Sequence, residues 1–80
     1  MTVQVRYFAA AAEAAGMTSE TLDASSAGAL RAAMVAAHGA PLERVLTRCS
    51  LLADGGRLSS DAHPVPAGAT VDVLPPFAGG

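Results

Sequence analysis

The sequence predicts an α+β domain in which helices pack on one face of a mixed sheet and an extended tail follows the last strand. Three observations support this prediction. Apolar and polar residues alternate near both ends of the chain, an apolar stripe at helical spacing lies between them, and two prolines follow the last alternating segment. The 80 residues suffice for one domain. We expect this domain to span residues 1–74 and the tail to span residues 75–80.

The first quarter of the chain predicts two strands with a short helix between them. Alternation over residues 2–8 is typical of a half-buried strand. The alanine-rich segment 9–15 favours a helix, because alanine has the highest helix propensity, and Gly16 ends it. A second strand is predicted at residues 19–23. The two strands therefore suggest a hairpin that a helix interrupts.

The best-defined helix is predicted at residues 27–38. The serine pair at 25–26 offers an N-cap, and Leu30 and Met34 lie on one face at helical spacing. Gly39 ends this helix, and Pro41 prevents it from resuming. A shorter helical segment is expected within residues 41–48.

Short strands are expected in the second half of the chain. Residues 50–53 form an apolar run, and the turn signal Asp54-Gly55-Gly56 lets residues 57–58 return as a hairpin arm. The last strand is predicted at residues 70–74. One core results if the helical stripe packs on the inward strand residues, which is the ubiquitin-like β-grasp layout. These core residues are Leu30, Met34, Val3, Val5, Val71 and Val73.

Charge and composition exclude several classes of function. The net charge is −2, and the five basic residues are scattered arginines, so the basic footprint that nucleic acid binding requires is missing. The N-terminus has no basic segment followed by an apolar run, which predicts neither a signal peptide nor a membrane span. We therefore expect a cytoplasmic protein that binds neither nucleic acid nor membranes.

The three residues with metal-binding side chains give no metal signature. His38, Cys49 and His63 lack the spacing of zinc ligands, so no metal site is predicted. We interpret His38 as a cap at the helix C-terminus that is compatible with the helix dipole. Cys49, next to two leucines, is interpreted as a small buried residue in preference to a sulfur-handling thiol.

The C-terminal tail carries the functional signal. Pro75 and Pro76 remove two backbone donors and direct the chain out of the sheet. Six residues in an extended conformation reach roughly 19 Å at about 3.1 Å per residue. Gly79 and Gly80 have no side chains, so this end can enter a tunnel that is closed to bulkier residues. Phe77 either fills a partner's pocket or folds back on its own domain.

These segments together resemble the small subunit of molybdopterin synthase, within the ubiquitin-like sulfur carriers. The resemblance rests on Val3–Ala10, on Ala29–Arg31 and above all on Gly68–Gly80, which ends in Pro-Pro-x-x-Gly-Gly. It implies that an adenylyltransferase of the ubiquitin-activating type uses ATP to adenylate the Gly80 carboxylate. Sulfur from a persulfide donor then replaces AMP and leaves a thiocarboxylate.

The resemblance also implies partners and a role. The tail enters the large synthase subunit, which transfers the sulfur to cyclic pyranopterin monophosphate in a heterotetramer of two small and two large subunits. This chain would then be a sulfur-donating subunit that binds no cofactor and has no catalytic side chains of its own. The residues implied to contact the partner are Pro75, Pro76, Phe77, Ala78 and Gly79.

Two alternatives remain open from the sequence. The same tail chemistry could serve thiamine or cysteine biosynthesis. A ubiquitin-like binding module or protein modifier would share the fold without donating sulfur.

Overall fold

In a computed structural model, three helices cover one face of a five-stranded mixed sheet, and the structure describes residues 2–76. In chain order the elements are β1 (Thr2–Tyr7), α1 (Ala10–Ala15), β2 (Ser19–Asp23), α2 (Ala27–His38), α3 (Ala40–Leu46), β3 (Ser50–Ala53), β4 (Gly56–Arg57) and β5 (Thr70–Leu74). The predicted α+β class and the helices on one face are confirmed.

The strand order places the end of the chain at the middle of the sheet. The order is β2-β1-β5-β3-β4, in which β1 and β5 are parallel and the other neighbours are antiparallel. Val5 lies opposite Val71 in the parallel pair, and Leu51 lies opposite Val73 in the antiparallel pair. Strand β5 is therefore held on both sides up to its last residues.

The core lies between the inner face of the sheet and the helices. Strand residues that alternate inward are almost completely buried, and the predicted stripe of α2 packs against them. Every residue of the predicted core is buried: Val3, Val5, Leu30, Met34, Val71 and Val73. Leu42, Leu46 and Leu51 extend this cluster towards β3.

Two predicted boundaries shift by one residue in the first quarter of the chain. Strand β1 ends at Tyr7, and Ala9 adopts a positive φ of 49°, which no residue of a right-handed helix can have. Helix α1 therefore starts at Ala10 instead of Ala9. The turn at Phe8 and Ala9 is fixed because the Phe8 amide donates to the carbonyl of Val73 at 3.2 Å.

Helix α2 has the predicted bounds, and local signals fix both of its ends. The Ser26 hydroxyl accepts a hydrogen bond from the Ala29 amide at 3.2 Å, as an N-cap does. At the other end Gly39 has a φ of 80°, which glycine tolerates. Pro41 then stands in the first turn of α3, where its missing donor costs no helical hydrogen bond. Pro41 thus opens a new helix after stopping the old one.

The side chain of His38 does not act as the predicted helix cap. Its Nε2 lies 2.5 Å from Oε2 of Glu20, and the phenol of Tyr7 donates to the same oxygen at 2.5 Å. The rings of Tyr7 and His38 meet edge to face at 5.8 Å. A carboxylate on β2 is a stronger acceptor than the last helical carbonyls, so the imidazole turns to the sheet and ties α2 to β1 and β2.

Candidate functional site at the root of the tail

Two of the predicted site residues lie within the described structure. Pro75 is half-buried and Pro76 is exposed, and together they form what we call the tail root. The predicted reactive residue Gly80 lies outside the described residues, as do Phe77, Ala78 and Gly79. The site can therefore be built from its base outwards.

The sheet determines where the tail root lies. Leu74, the last residue of β5, is still in register with Ser50 of β3. Pro75 has no amide hydrogen, so the ladder cannot continue past Leu74. The chain consequently leaves the sheet from a central strand, between β1 and β3, and not from an edge.

An apolar patch lies on the outer face of the sheet next to the tail root. Leu52 and Leu74 belong to the outward-facing set of β3 and β5, and Phe8 follows the end of β1 next to Arg6; we call these three residues the outer-face patch. Phe8 is 36% exposed, and the two leucines are half-buried. Apolar residues at positions that normally carry polar side chains are typical of an interaction surface.

An ion pair lies within the same face. Arg6 and Asp72 are opposite each other in the parallel ladder, and the guanidinium donates to both carboxylate oxygens, at 2.6 and 3.0 Å. The hydrogen bond and the charge of Asp72 raise the pKa of Arg6 further. Arg6 also lies 5.8 Å from the centre of the Phe8 ring. This arrangement holds Phe8 against the sheet.

The other side of the tail root faces a groove on the helical side of the molecule. Its apolar wall is formed by Ala10, Val45, Pro75 and Pro76, and its polar rim by Arg44, Thr47 and Arg48; its volume is about 540 Å³. We call it the arginine groove. The tail root is thus flanked by an apolar patch on one side and by a cationic groove on the other.

The single cysteine lies near this groove but is not activated. The Cys49 thiol donates to the carbonyl of Val45 at 3.2 Å, and burial raises its pKa, an effect that the charge of Arg31 only partly opposes. A thiol with a raised pKa is mostly protonated at neutral pH and is a poor nucleophile. The geometry agrees with a structural Cys49, although the residue is half-buried and not fully buried.

Side chains around the tail root can bind and orient but supply no catalytic group in the described part of the chain. The Thr47 hydroxyl donates to the carbonyl of Arg44 at 2.7 Å. Across residues 2–76, no three His, Cys, Asp or Glu side chains are grouped to hold a metal ion, and no helix is long and apolar enough to cross a bilayer.

Sequence reasoning did not identify the outer-face patch or the arginine groove. For the patch a signal was present, because Phe8 and Leu74 occupy the polar positions of their predicted strands. For the groove the signal was weaker. Arg44 and Arg48 are four residues apart, which places them on one side of a helical segment, but only the docked fold shows that this side faces the tail root.

Comparisons with known proteins agree with this geometry. The sequence profile of the ThiS family matches residues 5–80. No curated protein sequence matches the chain significantly. Among solved structures, the crystal structure of SAMP1, the small archaeal modifier protein 1 of Haloferax volcanii, is 26% identical, with a TM-score of 0.82 over 100% of both chains.

Two further structures share the fold at lower identity. A putative molybdopterin converting factor subunit 1 from Pyrococcus furiosus is 20% identical, with a TM-score of 0.79 over 96% of this chain and 99% of that one. Subunit 1 of the molybdopterin-converting factor of Helicobacter pylori 26695, solved in complex with subunit 2, is 24% identical, with a TM-score of 0.72 over 100% of both chains. These likenesses confirm the predicted ubiquitin-like β-grasp fold.

Proposed function

The chain belongs to the ThiS family of ubiquitin-fold sulfur carriers, and we propose that it supplies sulfur for molybdopterin as the small subunit of molybdopterin synthase. The observation that carries the proposal is the tail root. A central strand ends at Leu74, Pro75 and Pro76 follow it, and only three residues then lead to Gly80. A narrow segment that leaves a rigid sheet can reach a partner's active site while the domain stays outside.

The proposed reaction takes place at the carboxylate of Gly80. A terminal carboxylate has an ordinary pKa of roughly 3.5, so it is ionised at neutral pH and resists nucleophiles. One of its oxygens attacks the α-phosphate of ATP in the activating adenylyltransferase, and pyrophosphate leaves. The outer sulfur of a persulfide then attacks the acyl carbon and AMP leaves. A thiol of the donor cleaves the remaining S–S bond and releases the thiocarboxylate.

The proposed recipient is the large subunit of molybdopterin synthase. In Helicobacter pylori, subunit 1 of the molybdopterin-converting factor forms a complex with subunit 2. The outer-face patch is an apolar surface that a large subunit could cover while Phe77, Ala78 and Gly79 enter its active site. We propose the heterotetramer on this basis. The ATP requirement of the activating partner accords with the cytoplasmic location that we propose.

Mass spectrometry tests the sulfur chemistry directly. The chain is co-expressed with the activating adenylyltransferase and the persulfide donor of its own organism. We expect one terminal oxygen to be exchanged for sulfur in the full chain and no exchange after deletion of Gly79 and Gly80. Arg57→Ala, an exposed substitution at the far edge of the sheet, is the control. It should gain the terminal sulfur to the same extent as the original chain. An unchanged mass in an active system would refute the proposal.

A second candidate is a protein modifier, which the likeness to SAMP1 favours. In that case Gly80 would form isopeptide bonds to lysines of other proteins. The chain has no lysine of its own, so peptides that carry the Gly80 remnant would all come from targets. Peptide mapping of a lysate that expresses the tagged chain distinguishes the two candidates. Abundant conjugates that persist without the large subunit would favour the modifier.

The pathway is tested by the partner that co-purifies. We expect the tagged chain to retain the large subunit of molybdopterin synthase. Retention of a thiazole synthase or a cysteine synthase in its place would assign the same tail chemistry to thiamine or cysteine biosynthesis.

A further inference from the structure

The arginine groove combines two arginines that are unpaired within the described residues with an apolar wall at the tail root. Arg44 and Arg48 are exposed and form no ion pair with any residue from 2 to 76. The other arginines near functional surfaces are neutralised, since Arg6 binds Asp72 and Arg31 lies 3.6 Å from Asp61. The chain as a whole is negative, at −2. Two positive charges that no residue from 2 to 76 pairs are therefore brought together beside the tail root.

The backbone that carries these arginines is held in place. The amide of Arg48 donates to the carbonyl of Val45 at 3.0 Å, and the hydroxyl of Thr47 donates to the carbonyl of Arg44. Leu42 and Leu46 anchor α3 in the core at 0% and 4% exposure. The two guanidinium groups are thus presented from a fixed base, which lowers the entropy that binding would cost.

We propose that the arginine groove docks an acidic segment of the large subunit next to the entrance that receives the tail. This inference rests on the proposed function. Charge complementarity favours this occupant, because carboxylates on a partner surface would neutralise two guanidinium groups that no residue from 2 to 76 pairs. The position of the acidic segment follows from the tail root, because Pro75 and Pro76 line the groove and also begin the tail. A partner that takes up the tail is therefore brought next to this groove.

The expected role is to guide the tail before it enters. Charges at the rim of an interface act mainly on the association rate and on its salt dependence. Their range in physiological salt is about 8 Å, short enough to favour encounters in which the tail root already faces the partner. The apolar wall of Val45, Pro75 and Pro76 then excludes water from the contact.

The test measures association with the purified large subunit of molybdopterin synthase from the same organism. Arg44→Glu and Arg48→Glu are compared with Arg57→Glu, which makes the same change in net charge on the exposed edge strand β4. Arg57 likewise has no ion pair within residues 2–76. We expect each groove variant to associate about tenfold more slowly at low salt, with the difference shrinking as salt rises. Arg57→Glu should associate at close to the original rate.

The outcomes separate this inference from the proposed function. If the original chain binds the large subunit and the groove variants bind at the same rate, the groove inference is wrong and the proposed function stands. If Arg57→Glu slows association equally, net charge and not the groove is responsible, and the inference is again wrong. If the original chain itself does not bind, both fall. Unchanged thermal midpoints of the variants verify that they are folded.

Discussion

At the scale of single residues, the contact of Tyr7, Glu20 and His38 decides how the helical layer is tied to the sheet. One carboxylate oxygen of Glu20 lies 2.5 Å from both the phenol and the imidazole. Tyr7 is only 3% exposed, and burial followed by the Glu20 hydrogen bond raises its pKa above the ordinary value of about 10. The neutral phenol is therefore the form that the folded state stabilises.

This raised pKa predicts how stability depends on alkaline pH. A group whose pKa is higher in the folded state contributes fully below its unfolded pKa and is lost as pH rises through the folded value. We expect the free energy of unfolding to fall above about pH 10. Tyr7→Phe should remove this part of the fall and cost about 1–3 kcal/mol at neutral pH. Tyr7 is the only tyrosine and the chain has no tryptophan, so phenolate absorbance reports this residue alone.

The control for this titration is Cys49→Ala. Burial also raises the pKa of the Cys49 thiol, so ionisation of this thiol also lowers the free energy of unfolding at high pH. Cys49→Ala is therefore introduced into both the original chain and the Tyr7→Phe chain before they are compared. If the phenolate absorbance rose at a pH near the ordinary tyrosine pKa while the chain was still folded, this result would contradict the assigned environment of Tyr7.

At the scale of elements, the start of α2 is held against the loop at Asp61. The amide of Gly28 donates to the carbonyl of Asp61 at 2.9 Å. A Cβ at position 28 would lie 2.9 Å from the Cβ of Asp61 and 3.2 Å from its carbonyl oxygen. Position 28 therefore requires glycine, because a side chain there would collide with Asp61.

Gly28→Ala reverses the usual effect of this substitution in a helix. Alanine normally stabilises a helix relative to glycine by up to about 1 kcal/mol. Here the collision with Asp61 should dominate, and we expect a net loss of about 1–2 kcal/mol, typical of overpacking. Denaturant unfolding measures it. Asp61→Gly in the same chain removes the nearest atom and should recover part of the loss. A more stable Gly28→Ala chain would contradict the observed packing.

The sequence was sufficient for elements whose pattern is local. Alternation placed β5, and the apolar stripe with its serine cap placed α2, because each signal lies within the segment that it describes. The positive φ of Ala9 could not be predicted, since alanine seldom adopts it and the turn is imposed by the neighbouring strand. The pairing of His38 with Glu20 likewise needs the docked helix.

The sequence predicted the tail as the candidate site but not the two surfaces that flank its root. The prolines and the terminal glycines identify a tail from their backbone properties alone. The parallel pairing of β1 with β5 joins residues more than sixty positions apart, and no local pattern encodes it. The outer-face patch and the arginine groove both depend on this pairing and on the docking of α3, so they became visible only in the fold.

At the scale of the whole molecule, the described residues form one core that stops short of the tail root. The buried cluster runs from Val3 to Val73, and no member lies at or beyond Pro75 within the described residues. Deletion of residues 77–80 should therefore change the free energy of unfolding by less than about 0.5 kcal/mol, as for a surface change. Thermal or denaturant unfolding provides the measurement.

Leu51→Ala is the comparison for this truncation. Leu51 is fully buried, and its truncation should cost about 2–5 kcal/mol. Loss of more than about 1 kcal/mol on deleting residues 77–80 would instead support the alternative in which Phe77 packs back on its own domain.

The central position of β5 also has a consequence for biosynthesis. Among the described strands, β3 and β4 join β1 and β2 only through β5, which the ribosome makes after the other four. Until it emerges, the nascent chain holds two separate half-sheets whose inner faces are open to water. Because the closing contacts are distant in sequence, they form late and slowly. A polypeptide released before β5 is made would therefore lack the strand that joins the two halves of the sheet, which would leave it open to cellular proteases.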